Sequence, residues 1–475
     1  MKAPDYDLCV IGGGSAGLVV AAGGASLGAR VILVEKHLLG GDCLNYGCVP
    51  SKTLLHSAKV AQTMRDAGRY GIEAATPHTK ISAVMQRVHD VIKTIAVHDS
   101  PERFRDMGID VVFGAGTFTS PDTFRVNDRI ITAKHFVIAT GSRPAIPPVD
   151  GIESIPYLTN ETVFSLNEPV PGLIILGGGP VGIEMAQAFV RLGSKVTLVQ
   201  HNAHILPRED PDISEIVRRR LEHEGVEFHL GCSTKHVSGA VDKIELVFAS
   251  SDNRQYTENG THLLVAAGRK ANSEGLGLEN AHVRTARGRI ITDRRLRTTN
   301  RRIFACGDIV GPHLFTHMAE HHAGVVLRNT LFRLPATIEQ RVIPWCTFTD
   351  PEVARVGLSA REAQQQDILH KVYTFPFKDI DRAQAEGETE GLAKIITDKK
   401  GRLLGAALVG PHAGELIHEY TLALSQRLKA SDLSKVIHIY PTLAQINRRV
   451  ADVRMREGLT PSAKKWIKLI FGLRG

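Results

Sequence analysis

Short apolar runs, each followed by a glycine turn, set the rhythm of the first two thirds of the chain. Leu8-Cys9-Val10-Ile11, Val31-Ile32-Leu33-Val34 and Leu173-Ile174-Ile175-Leu176 are continuous rather than alternating. That is the pattern of strands covered on both faces in a parallel sheet. After the first run, Gly12-Gly13-Gly14-Ser15-Ala16-Gly17 opens a small-residue stretch through Val19-Val20-Ala21-Ala22, which predicts a helix leading to the strand that ends at Glu35. The order repeats about 165 residues later. There Gly177-Gly178-Gly179-Pro180-Val181-Gly182 is followed by a helix and the strand Lys195-Val196-Thr197-Leu198-Val199. Two repeats of strand, glycine turn, helix and strand predict an α/β fold containing two separate βαβ units.

The turns carry chemistry. In a G-x-G-x-x-G turn one glycine makes the tight bend, one lets a pyrophosphate approach the backbone, and one allows close helix–strand packing. The helix N-terminus then meets the phosphates. Glu35 stands where a carboxylate bonds ribose hydroxyls, so Gly12, Gly14, Gly17 and Glu35 together read as a dinucleotide site. In the second unit the strand ends in Gln200-His201-Asn202, without a carboxylate and without an arginine at those positions. Strict NAD use loses its usual support, the choice between NADH and NADPH stays open, and His201 and Arg208 are the local cations for a 2′-phosphate. Phe136-Val137-Ile138-Ala139-Thr140-Gly141, Leu263 to Gly268-Arg269, and Ile303-Phe304-Ala305-Cys306-Gly307-Asp308 each add a strand and turn. In the last, Asp308 is placed to bond a ribityl or phosphate group.

Cys43 and Cys48 follow the first unit directly, in Gly40-Gly41-Asp42-Cys43-Leu44-Asn45-Tyr46-Gly47-Cys48-Val49-Pro50-Ser51-Lys52. If a helical turn brings their Cβ atoms together, the pair closes a small and reducible disulfide ring. The other reading is two unpaired core thiols. Their position next to a dinucleotide unit favours a redox pair.

Composition narrows the class. With 43% hydrophobic and 23% charged residues, the 475-residue chain has the make-up of a globular enzyme of about three domains. Six scattered cysteines fit a cytoplasmic protein with one redox pair rather than a secreted disulfide framework. The formal charge of +8 comes from dispersed clusters such as Arg218-Arg219-Arg220, with no interleaved aromatics, so nucleic acid is not an expected partner. There is no charged N-terminal leader, and no stretch is long and uncharged enough to span a bilayer. Residues 462–475 form a cationic, apolar segment with one tryptophan. The segment is read as docked on the protein's own body, with weak membrane-surface contact as the alternative.

Taken in order, these motifs resemble the flavoprotein disulfide reductases, the pyridine nucleotide-disulfide oxidoreductase family that includes dihydrolipoamide dehydrogenase, glutathione reductase and mercuric reductase. The similarity extends to the second fingerprint with Glu184 and to Pro344-Trp345-Cys346-Thr347-Phe348-Thr349-Asp350-Pro351-Glu352. It implies two Rossmann-like domains, for FAD and NAD(P), and an α+β C-terminal dimerisation domain. The implied boundaries are 1–148 and 270–340 for FAD, 149–269 for NAD(P)H and 341–475 for dimerisation. It also implies a homodimer. FAD would be held by Gly12, Gly14, Ser15, Ala16, Gly17, Glu35, Lys36, Gly41, Asp42, Gly47, Ala115, Ala139, Thr140, Gly141, Gly307 and Asp308. NAD(P)H would be held by Gly177, Gly179, Pro180, Val181, Gly182, Gln200, Gly268 and Arg269. Cys48 would be the sulfur facing the flavin, Cys43 the exchanging thiol, and Lys52 with Glu184 the ion pair beside the flavin.

Against this family the C-terminal motif departs. Members acting on disulfides carry His-x-His-Pro-Thr with a following Glu, whereas this chain reads His438-Ile439-Tyr440-Pro441-Thr442 and then Gln445. A phenol, with a reference pKa of about 10, is a poor general base beside an imidazole of about 6.5. No cysteine follows Cys346, so the vicinal C-terminal pair of mercuric reductases has no counterpart, and neither has their N-terminal metal-binding domain. The expected acceptor is therefore a small-molecule disulfide, a metal ion or a quinone. The alternatives are a quinone-directed NAD(P)H dehydrogenase and a low-turnover dimeric redox sensor.

Overall fold

The structure, a computed structural model, describes residues 3–332 and 334–473. Its first sheet is built on the strands Tyr6–Ile11, Val31–Glu35, Asp110–Phe113, Arg129–Ile138 and Ile303–Ala305, all parallel. Thr123–Val126 and Gly116–Ser120 extend it in antiparallel fashion from the first half of Arg129–Ile138. The pairing of Ile303 with Phe136 and Ala305 with Ile138 closes a long excursion of the chain back onto its first sheet. That return sets the Gly307-Asp308 turn beside the first glycine turn.

The excursion contains the second parallel sheet, in the order Val226–Leu230, Lys195–Gln200, Gly172–Leu176 and His262–Val265. An antiparallel sheet of Ser233–Ala240, Lys243–Ala249 and Gln255–Gly260 covers one face of it. The remaining chain forms a five-stranded antiparallel sheet of Pro344–Thr347, Glu352–Gly357, Leu403–Gly410, Leu392–Thr397 and Lys371–Pro376. Helices Ala413–Ser425 and Gln445–Glu457 pack on that sheet through Ile417, Tyr420, Ile446 and Val450. The α/β class with two dinucleotide folds and an α+β unit follows the sequence reading.

Glycine is required at the helix starts. A Cβ on Gly17 would lie 1.8 Å from the Gly12 carbonyl oxygen, and one on Gly182 would lie 2.0 Å from that of Gly177. Helices Ser15–Ser26 and Pro180–Arg191 can therefore press against their strands only with hydrogen at these positions.

The C-terminal segment corrects an expectation. Thr460 caps a helix over Pro461–Phe471, its hydroxyl accepting the Ala463 amide at 3.1 Å. None of the helix is buried, so it does not dock on the body of its own chain.

One buried charge network binds the second unit to the third. The Arg191 guanidinium donates to both Glu224 oxygens at 2.8 and 2.6 Å and to Asp350 at 3.0 Å. Gln187 exchanges two hydrogen bonds of 2.8 Å with the Asp350 backbone. The Arg191 and Glu224 side chains are 2% and 3% exposed, and Arg220 also donates to Glu224 at 2.7 Å, so removing Arg191 takes a buried guanidinium and its three short hydrogen bonds out of a shared network. Arg191→Ala is expected to cost about 3–5 kcal/mol of stability. Denaturant titration measures it.

Candidate active site

A continuous cavity of about 2320 Å³ joins the two glycine turns. Ordinary small-molecule sites span about 300–1,000 Å³, so this one has room for two dinucleotides. From the first sheet and its return it is lined by Gly12, Gly14, Ser15, Ala16, Glu35, Lys36, Gly41, Asp42, Gly47, Ala115, Ala139, Thr140, Gly141, Gly307 and Asp308. From the second it is lined by Gly177, Gly179, Pro180, Val181, Gln200, Gly268 and Arg269. Gly17 and Gly182 lie behind the wall, where their role is packing.

The two turns share one local design. The Glu35 carboxylate accepts the Gly13 amide at 2.6 Å, and in the second unit the Gln200 side-chain carbonyl accepts the Gly178 amide at 3.1 Å. Same place, different charge. Neither helix Ser15–Ser26 nor Pro180–Arg191 has a side-chain cap or an acidic residue in its first turn. Their first amides are thus left for an anionic ligand. No protein atom comes within 4 Å of where a Gly179 Cβ would stand, and a Gly41 Cβ would sit 2.6 Å from the Gly14 Cα. The backbones around both turns are bare or glycine-lined, which fits FAD at the first and a nicotinamide dinucleotide at the second.

The redox segment departs from a single helical turn. Cys43 lies in the short helix Gly41–Asn45, and Cys48 begins the helix Cys48–Asp66, with Tyr46-Gly47 as the kink between them. Asn160 fixes the kink by donating to the Asp42 carboxylate at 3.0 Å and to the Tyr46 carbonyl at 3.2 Å. Both cysteines are thiols here, and both line the cavity. A hydrogen bond from Cys43 holds the Cys48 thiol below its usual range against desolvation, helped by the Thr316 hydroxyl and the Lys52 ammonium. The same bond, with burial, pushes Cys43 far up. The negative charge therefore rests on Cys48, at the first residue of a helix, where the macrodipole also favours it.

Lys52, one turn along, donates to Glu184 at 2.8 Å and stands 4.5 Å above the Phe348 ring. Burial pulls the ammonium down, but Glu184 and then Cys48 outweigh it, so Lys52 stays charged. The other Glu184 oxygen accepts the Phe348 amide at 2.9 Å. Beyond Phe348, Trp345 donates its indole N–H to Glu209 at 2.8 Å and lies under the Arg355 guanidinium at 4.3 Å.

Three predicted residues have settings that sequence could not supply. Asp308 accepts from the Ser142 hydroxyl at 2.6 Å, and burial raises its carboxyl. Arg269 pairs with Asp42 at 3.1 Å and donates to Ser142, so its charge is spent inside the wall. Tyr440 is not in the cavity of this chain. Its hydroxyl donates to Asp381 at 3.1 Å on an open surface, and that carboxylate pushes the phenol above its ordinary value. His438 is tied to Glu419 at 3.1 Å and to the Val436 carbonyl, a structural placement.

Sequence reasoning missed Thr316, whose Oγ1 lies 3.4 Å from the Cys48 sulfur, and His322, whose Nδ1 accepts the Gly307 amide at 3.2 Å. Burial holds His322 down at about 4, so it stays neutral and keeps that acceptor.

With this geometry in view, the comparisons are specific. Residues 6–324 match the model of the pyridine nucleotide-disulphide oxidoreductases, and residues 343–450 match the dimerisation domain of the same group. The chain belongs to this family. It is 34% identical over 448 residues to a mercuric reductase of Streptomyces lividans, covering 93% of this chain and 94% of the relative. It is 33% identical over 460 residues to a dihydrolipoyl dehydrogenase of Bacillus subtilis, covering 93% and 96%. Among solved structures it superposes on the Cu(II) complex of the HOCl-induced flavoprotein disulfide reductase RclA of Escherichia coli. The TM-score is 0.85 at 29% identity, covering 95% of this chain and all of that one. The protein is thus an FAD- and NAD(P)H-dependent oxidoreductase.

The charge distribution makes a titration prediction. In Cys43→Ser, whose hydroxyl can still donate, the first thiol to ionise should be Cys48, with a midpoint below the free-cysteine value of about 8.5. Adding Lys52→Met should raise that midpoint by about one unit and slow alkylation at neutral pH about tenfold. Thiolate absorbance and iodoacetamide kinetics report both effects.

Proposed function

We propose that the family chemistry runs here from NADPH to the Cys43–Cys48 pair and ends on a soft, thiophilic metal ion. The observation that carries this reading is the charge-separated dithiol on the cavity wall, in a chain whose C-terminal motif has Tyr440 where the members acting on disulfides carry histidine. Bound FAD would supply the two-electron carrier between the nicotinamide and the pair, held by the glycine wall, Glu35 and the Asp308 turn. Lys52 and Glu184 keep a fixed positive charge next to Cys48. A metal cation exchanges its ligands for the Cys48 thiolate and for Cys43, which releases its proton on binding. Closure of the disulfide then leaves two electrons on the acceptor, enough for one Hg(II) to Hg(0) or two Cu(II) to Cu(I). Neither outcome requires protonation of a leaving thiol, the step for which this chain has Tyr440 in place of histidine. The relatives named mercuric reductase and the Cu(II)-bound RclA support the same class of acceptor.

A disulfide acceptor is the second reading, supported by the dihydrolipoyl dehydrogenase relatives. Cys43 would attack one sulfur of the substrate, forming a mixed disulfide and releasing one thiol. Cys48 would then displace the second thiol and close the ring. Cys43 must first lose its proton, and its raised pKa makes this slow without a base. The Cys346 thiol, which burial raises well above its usual range, is no substitute nucleophile.

The dimerisation match supports a homodimer. So does an outward apolar surface in which Ile437 and Ile439 are 93% and 78% exposed beside Tyr440. A partner subunit would bring this surface, Tyr440 included, to the neighbouring active site. The absence of a carboxylate at Gln200 supports NADPH, and six scattered cysteines support a cytoplasmic setting. Among the described residues no helix is long and apolar enough to cross a membrane.

The deciding measurement is steady-state turnover with NADPH or NADH against Hg(II), Cu(II), lipoamide and glutathione disulfide. Metal-dependent NADPH oxidation should exceed either disulfide by at least about tenfold and vanish in Cys48→Ser; faster disulfide turnover would replace the metal reading. In Gln200→Glu, the new carboxylate should lower kcat/KM for NADPH by about 10-fold or more, in line with like-charge repulsion of several kcal/mol across an interface. NADH should be spared.

A further inference from the structure

The helix Pro461–Phe471 has a start, a stop and no buried side chain. Thr460 caps it, Pro461 stands in its first turn, and Gly472 ends it in the left-handed region at φ 64°. Such local signals mark where a helix begins and ends. Yet Trp466, Ile470 and Phe471 are 63%, 67% and 71% exposed. Leu469 and Leu473 are exposed as well.

The sides of this helix are sharply divided. At about 100° per residue, Lys464, Lys465 and Lys468 fall within an arc of about 100°. Trp466, Ile467, Leu469, Ile470 and Phe471 share the rest of the circumference. No acidic residue occurs from Gly458 to the end of the sequence. The apolar side is far too large to be left in water without a purpose. The lysines discriminate between candidate coverings. A subunit surface would use the apolar side and leave three ammonium groups idle. An anionic lipid surface uses both, because apolar side chains sink into the headgroup boundary, Trp sits at the interface, and lysine stems reach up to phosphate.

We propose that the helix Pro461–Phe471 lies in the surface of an anionic membrane and holds the enzyme there reversibly. The occupant is a lipid bilayer with negatively charged headgroups. Each lysine near such a surface adds roughly a fivefold gain in partition, so the three together dominate the preference over neutral lipid. The helix is roughly 16 Å long, too short to span, and the body of the enzyme stays in water.

The test uses the full-length flavin-loaded protein and sedimentation with vesicles of phosphatidylcholine alone or mixed with phosphatidylglycerol. Binding is expected on the mixed vesicles only, weakening as salt rises. It should fall at least about tenfold in Trp466→Ser/Ile470→Ser and in Lys464→Gln/Lys465→Gln/Lys468→Gln. Tryptophan emission should shift to the blue on mixed vesicles, and that shift should be lost in Trp466→Phe. Because the helix touches no core, flavin content and NADPH oxidation serve as controls and should be unchanged. Failure to bind mixed vesicles, or equal binding by both multiple variants, overturns the proposal. So does dissociation of the dimer in Trp466→Ser/Ile470→Ser by sedimentation velocity, which would assign the helix to the partner subunit.

Discussion

The ion pair between Lys52 and Glu184 is the contact on which the redox centre depends. Lys52 comes from the helix that begins with Cys48, and Glu184 from the helix that opens the second dinucleotide fold. Glu184 also accepts the Phe348 amide, and Phe348 belongs to the third unit. A single carboxylate thus sets the spacing of three separately folded parts around one sulfur. Exposed pairs contribute little. This one matters because its glutamate is buried and its lysine must remain charged beside a thiolate.

Three charges in series explain the asymmetry of the cysteines. Glu184 keeps Lys52 protonated, Lys52 favours the anion at Cys48, and the Cys48 thiolate draws the Cys43 proton into a hydrogen bond. The kink at Tyr46-Gly47 keeps one cysteine within a short helix while the other opens a long one. Only the second gains the helix dipole. Backbone geometry and side-chain charge therefore select the same sulfur, and Thr316 adds a hydroxyl to it from a different segment. The outcome is a pair whose two sulfurs differ in charge, with the anion favoured at Cys48 and the proton at Cys43.

How much of this was legible in the chain depended on distance along it. The glycine turns, Glu35, and the contrast with Gln200 could be read because each is a local rule acting within one βαβ unit. The Leu173–Leu176 strand could be read from its continuous apolar run, whereas the return of Ile303–Ala305 to the first domain was legible only through the resemblance to the family. Thr316, Asn160 and His322 were not legible, since each acts through one or two hydrogen bonds on residues outside its own element and leaves no periodic trace. The Arg191–Glu224–Asp350 network was hidden for the same reason. The terminal helix was legible as amphipathic, but its docking was not: an apolar stripe shows that a surface will be covered, not by what.

Tyr440 joins these threads. Its motif is recognisable from sequence, yet its chemistry depends on a surface this chain cannot complete alone. In a family that shares one flavin and one cysteine pair among acceptors as different as lipoamide and Hg(II), the common half of the reaction is built within the subunit. Here that half is intact, from the two glycine turns to the Cys48 thiolate. On the exposed C-terminal surface a phenol hydrogen-bonded to Asp381 stands at the motif position where members acting on disulfides carry an imidazole. A group whose proton is held more tightly than usual cannot shuttle it at neutral pH. On the metal reading proposed above, such a position disfavours acceptors that need a proton to depart and spares those that take electrons through sulfur–metal bonds.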